Sequence, residues 1–110
     1  MTPEDFIKGF YNEKEDLLQL YFNNEYEISI GKLINSLNLK DDKKATLYKI
    51  LEQTLTDSMY TILLGLDGAA SIRNRQEMYK LLDEEGNELT GGEIESYAWE
   101  YFHSKVKKDQ

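Results

Sequence analysis

A chain of 110 residues and 12.9 kDa matches one ordinary domain, residues 1–110, and leaves no length for a second. Apolar residues at 40% give enough hydrophobic mass for a core, while 21 acids against 13 bases, net −8, argue against a nucleic-acid surface and point to no nucleic-acid partner. The absence of Cys excludes disulfides, zinc ribbons, iron–sulfur clusters and thiol catalysis together.

The N-terminal Met1 to Asp5 carries no basic region, and Phe6-Ile7 gives way at once to Lys8 and Gly9, so no signal-peptide core is read. The most apolar stretch, Met59 to Leu66, spans eight residues, against the roughly 20 of a membrane helix. The expectation is a cytoplasmic protein with no membrane contact.

Thr2-Pro3-Glu4-Asp5 reads as a helix start. Thr can accept from a free N–H, Pro fits the first turn, and acids favour the positive end of the dipole. Phe6, Phe10, Leu17 and Tyr21 recur at helical spacing, widened by Leu18 and Phe22. Glu13 and Lys14 fall where an apolar residue is due, so the helix predicted over 3–23 carries a polar notch in its middle. Asn23-Asn24 supplies the stop. Glu25 to Ile30 alternates polar and apolar, as a short strand or an extended connector would. Leu33, Ile34 and Leu37 fit two turns of helix with Ser29 as cap, broken by 38–42.

The strongest signal follows. Leu47, Leu51, Leu55, Met59, Ile62 and Leu66 advance by three or four residues along one face, predicting an amphipathic helix over about 42–66. Tyr48, Leu63 and Leu64 widen the stripe, so its C-terminal half should be buried on most sides. At about 1.5–3 kcal/mol for each buried Leu, the six stripe positions should supply most of the stability. Leu55→Ala or Ile62→Asn is then expected to unfold the domain. Asp67-Gly68 ends the helix. Met78 to Leu82, the polar cluster 83–87 and Glu88-Leu89 read as a β-hairpin, with a helix over 75–82 as competitor. Thr90-Gly91-Gly92-Glu93 matches a capping box. A last helix follows with Ile94, Tyr97, Ala98, Tyr101, Phe102 and Val106 on one stripe, and with Lys105, Lys107 and Lys108 at its negative dipole end. The predicted fold is mainly α (α+β), a small bundle of about four helices with a short late β-hairpin.

Charge is segregated. Residues 1–30 hold seven acids and two lysines, net −5, and residues 76–101 hold eight acids and one lysine, net −7. If the first and last helices pack together, these segments merge into one negative face suited to a basic protein partner. Solvated helix faces that keep the chain soluble are the plainer account.

Catalytic and metal motifs fail on inspection. His103, the only histidine, would need a nucleophile or an orienting acid nearby to act as a general base, and the sequence alone supplies no such constellation, so a surface or packing role is expected. The acidic loop 83–88 does not fit a calcium-binding EF-hand, since Gly92 stands where the closing Glu is required. No phosphate loop or serine-nucleophile turn is present. Arg73 and Arg75 fall in a polar connector. The reading is a non-enzyme with no cofactor, no metal and no catalytic residue. The aromatics carry more: eight tyrosines exceed what a small core needs, and Tyr and Trp are favoured at interfaces. Trp99 falls off the stripe of the last helix. Candidate partner-binding residues are Glu13, Glu15, Asp16, Tyr26, Glu84, Glu85, Glu88 and Trp99, with Tyr11 a further candidate.

Leu63-Leu-Gly-Leu-Asp-Gly68, Tyr79, Asp83, Gly86, the Gly92-Glu93 helix start and Tyr101-Phe102-His103 resemble small acidic immunity proteins of bacterial polymorphic toxin systems, over about residues 57–103. The resemblance implies a cytoplasmic bacterial protein that binds and blocks a cognate toxin, which the charge reading would make a basic one, and it carries over no contact residue. The expected function is therefore non-enzymatic protein binding. The competing readings are a small enzyme or ligand-binding domain with a carboxylate-lined pocket near Asp67, or a structural homodimer.

Overall fold

The computed structural model describes residues 1–23, 25 and 28–104. Its elements are α1 (Pro3–Tyr21), α2 (Ser29–Ser36), α3 (Asp41–Leu66) and α4 (Ile94–Trp99), and α4 runs on as a π-helical turn over Glu100–Ser104. The chain is mainly helical, as its periodicity predicts, and no sheet forms among the described residues.

Helix α1 starts as its first residues dictate. The Thr2 hydroxyl accepts the Asp5 N–H at 3.1 Å, the Asp5 carboxylate accepts the Thr2 N–H at 3.2 Å, and Pro3 opens the first turn. The helix stops at Tyr21, two residues before the predicted end, where Phe22 and Asn23 turn back onto Leu18 and Leu20 carbonyls. Asn24, Tyr26 and Glu27 lie outside the described residues, and with them most of the strand or connector expected over 25–30. Ser29 is not the cap of α2 but its first helical residue, following the extended Ile28.

Helix α3 sets the long dimension. At about 1.5 Å per residue its 26 residues span roughly 39 Å, most of the molecule's 46 Å length. It ends in a Schellman motif: Gly68 at φ +75° donates to the Gly65 carbonyl at 3.2 Å, and Ala69 donates to Leu64 at 2.9 Å. The core lies where α1, the second half of α3, α4 and the π-helical turn converge, and comprises Ile7, Leu63, Ile94, Ala98, Tyr101 and Phe102.

This placement corrects the predicted stripe. Ile62 is 52% exposed and its neighbour Leu63 is fully buried. Leu47, Leu51, Leu55, Met59 and Leu66 are half-buried. The seam on α3 is centred one residue later than periodicity implies because α1 and α4 are its main neighbours. Helices α1 and α4 pack on one side of α3 and leave another side of its C-terminal half, including Thr61 and Ile62, open.

The connector from α3 to α4 reverses twice. Ile72 and Arg75 exchange both backbone hydrogen bonds, at 3.0 and 3.2 Å, around Arg73 and Asn74 at φ 48° and 67°, the geometry of a type I′ turn. The β-hairpin predicted here is not formed: the chain reverses at 83–87, but Leu82 and Glu88 make one isolated bridge and Leu89 donates to the Leu81 carbonyl at 2.8 Å. The pairing stops because the next partners are taken. The Thr90 hydroxyl accepts the Leu81 N–H at 3.1 Å, Leu89 turns into the interior, and the Gly91 and Gly92 N–H groups point to Asp67.

The same contacts overturn the expected capping box. The last helix begins at Ile94, four residues after Thr90, and Glu93 makes no capping bond with its side chain. The acceptor is Asp67, distant in sequence and 4% exposed. Its Oδ1 accepts from Gly91 at 2.7 Å and Gly92 at 3.0 Å, and its Oδ2 from Gly92 at 3.0 Å and Ile94 at 3.1 Å. Asp67 thus ends α3 with its backbone N–H and starts α4 with its carboxylate. Lys105, Val106, Lys107 and Lys108 lie outside the described residues.

Candidate functional site

The polar notch of α1 is a buried cation. Lys14 is fully buried, and its ammonium donates to Glu52 Oε2 at 2.9 Å and to the Thr56 hydroxyl at 3.1 Å, both on α3. Thr56 in turn donates to the same Glu52 oxygen at 2.9 Å, closing a three-membered network. The Tyr11 and Phe102 rings lie 4.9 and 5.4 Å from the ammonium and receive it by cation–π attraction. Burial acts against the charge on Glu52, but hydrogen bonds from Lys14 and Thr56 outweigh it and hold the carboxyl below its ordinary pKa. The network therefore joins two helices through an ion pair whose Lys14 end is fully buried and whose Glu52 end is partly exposed.

Beside it is a more open feature. The His103 ring stands edge-on to Tyr60, centroids 4.5 Å apart, and lies tilted against Trp99 at 4.9 Å. Tyr60 comes from α3, Trp99 from α4 and His103 from the π-helical turn, so His103 acts as a wedge that spaces the two larger rings. A cavity of about 460 Å³ opens there, lined by Tyr60, Glu95, Ser96 and Trp99. Glu95 and Trp99 are four residues apart on α4 and share one face. Partial burial and the nearby Glu95 charge push the Tyr60 hydroxyl above its ordinary pKa. Trp99 is 53% exposed, which suits a contact residue.

The other predicted residues are dispersed. Glu13 is exposed and lines a mainly apolar 280 Å³ cavity with Met1, Asp5, Phe6, Gly9 and Phe10. Asp16 is exposed beside Gln19, Leu20 and Asn23. Glu15 is half-buried and turned toward Lys14, at 3.9 Å. Glu84, Glu85 and Glu88 are exposed on the 83–88 loop, which the Met1 ammonium ties to the start of α1 through Asp83 at 3.2 Å. Tyr26 lies outside the described residues. Tyr11 is half-buried against Tyr101 and Phe102 rather than presented to a partner.

The first and last helices do meet, through Tyr101, whose hydroxyl donates to Glu4 at 2.9 Å. They bring the 83–88 loop to the N-terminal end of α1. Glu13 and Asp16 sit roughly 15–20 Å further along that helix by its rise per residue. Sequence reading missed Tyr60, Glu95 and Lys14 as site residues. The Glu13-Lys14 break in the α1 stripe was the one signal that marked Lys14.

Both Asp67 oxygens are engaged by backbone N–H groups, and Asp67 does not line the three cavities described above. Arg73 sits exposed at a tight turn, and Arg75 pairs with Glu77 at 3.1 Å on the surface. Among the described residues no group of three or more His, Cys, Asp or Glu side chains comes together to hold a metal, and no helix is long and apolar enough to cross a membrane. No protein-family model, no curated protein and no solved structure matches the chain.

Proposed function

We propose that this chain is a non-enzymatic binding domain that covers a basic protein partner, and that the partner is a toxin it neutralises. The reading is carried by unspent negative charge. Among the described residues, Glu13, Asp16, Glu84 and Glu85 are exposed and none is within ion-pair distance of a cation. Acids in that state steer a basic partner and set its orientation more than they stabilise the fold. Exposed Trp99 supplies the apolar anchor that charge alone lacks.

The test is capture from the native host at low and high salt, with mass spectrometry of what binds and a Glu84→Lys/Glu85→Lys/Glu88→Lys variant as control. A basic protein retained by the parent and lost by the variant supports the reading. No specific partner at low salt overturns it. A homodimer is the second reading, favoured by Ile30 and Leu33 on α2 and Leu37 at its C-cap, which are exposed apolar residues. Gel filtration across a hundredfold concentration range separates the two, because self-association through those residues shifts the elution volume and Leu33→Asp abolishes the shift.

A further inference from the structure

We propose that the cavity between α3 and α4, lined by Tyr60, Glu95, Ser96 and Trp99, is a receptor for a single arginine side chain of the partner. The proposal rests on the reading above as an acidic binding domain and names the chemistry of its anchor point.

A guanidinium needs two things from a protein, a flat aromatic face and a carboxylate in reach of its N–H fork. Both are present in one cavity of about 460 Å³, ample for one side chain. Trp99 is the aromatic with the strongest attraction for cations, and its exposure leaves a large part of the indole uncovered. Tyr60 lines the same cavity, and the His103 ring is in contact with both aromatic rings. Glu95 is exposed, one turn before Trp99 on the same face, and no cation among the described residues lies within ion-pair distance of it.

Two positive features of this region are already engaged: the Ile94 N–H that opens α4 donates to the Asp67 carboxylate, and the Lys14 ammonium is paired with Glu52. A cation entering the cavity therefore meets net negative charge. Arginine is favoured over lysine because its planar group can stack on the indole and donate to the carboxylate at once, which a compact ammonium cannot.

Trp99 is the only tryptophan, so its fluorescence reports this cavity alone. The experiment titrates the purified full chain at pH 8 with hexa-arginine amide, and with hexa-citrulline amide as its neutral isostere. The expected result is a change in Trp99 emission and protection from acrylamide quenching with the arginine peptide only. Affinity should fall about fivefold in Glu95→Gln and by less than about twofold in Glu84→Gln, which removes the same unit of charge from the distant loop. Circular dichroism confirms that each variant keeps its helices. Equal binding of citrulline, equal weakening by the two variants, or calorimetric binding without any emission change would each overturn the proposal. A partner captured from the host while arginine leaves Trp99 unperturbed would remove the arginine site and leave the binding reading standing. Arginine binding at Trp99 with no partner captured would do the reverse.

Discussion

Replacing Glu52 by Ala should destabilise the domain far more than replacing Lys14 by Met, although both changes delete the same ion pair. Lys14 is fully buried and its strongest partner is Glu52 at 2.9 Å. Removing Glu52 strands an ammonium between Tyr11, Phe102 and Thr56, and an unpaired buried charge of this kind costs about 3–5 kcal/mol. Two features reduce that figure. The Thr56 hydroxyl still accepts from the ammonium, and Glu15, at 3.9 Å and with a side chain 36% exposed, offers a weaker carboxylate. The expected cost is therefore about 2–3 kcal/mol.

Lys14→Met instead keeps the stem volume and places an apolar end against the two rings, while Glu52, whose side chain is 26% exposed, turns to water. Its cost should stay within about 1 kcal/mol. In the double variant the Lys14→Met change leaves no ammonium to be stranded, so the two effects should fall short of their sum by about 1–2 kcal/mol. Urea unfolding followed by circular dichroism on all four proteins measures this directly. Equal single costs that add without coupling would refute the claim that the buried Lys14 ammonium depends on Glu52.

The seam on α3 predicts that Ile62→Asn changes stability by less than about 0.5 kcal/mol, while Leu63→Ala, one residue on, costs about 2–4 kcal/mol; thermal unfolding of the pair decides it. Asp67→Ala should cost about 2–3 kcal/mol by leaving the Gly91, Gly92 and Ile94 N–H groups without their acceptor, with Asp67→Asn intermediate, and hydrogen exchange at those three amides should accelerate. The Asp83 carboxyl, lowered from 3.8 to about 2 by hydrogen bonds from the Asn87 side chain and backbone and from the Met1 ammonium, stabilises the fold above its unfolded pKa. That contribution fades as pH falls from about 4 toward 2, and a carbon NMR titration should show the Asp83 midpoint near 2 and its return toward 3.8 in Asn87→Ala. Gly68→Ala should be destabilising, because its φ of +75° is strained for any L side chain and the added carbon would meet the Met78 sulfur.

Local signals in the sequence determined the helices. Thr2, Pro3 and Asp5 lie within four residues of one another, so the start of α1 needs no tertiary context, and the same holds for the Gly68 stop of α3. The period of the Leu47 to Leu66 stripe determined that a long helix forms there. It could not determine which side of that helix would be buried. That depends on where α1 and α4 land, and they land on Leu63 and leave Ile62 in water.

The misreadings at 76–93 have a single cause: Thr90 has local geometry for capping and a hairpin has local geometry for pairing, but Asp67 offers the Gly91, Gly92 and Ile94 N–H groups a buried charged acceptor. A charge-assisted hydrogen bond is roughly twice as strong as a neutral one, so the long-range partner wins. The candidate site divides the same way. Exposed acids and Trp99 were legible as residue types, whereas the cavity exists only because Tyr60, Glu95 and His103, far apart along the chain or on different turns, are carried to one place by the packing of α3 against α4. Sequence spacing encodes which residues share a helix face, and tertiary packing alone encodes which faces meet.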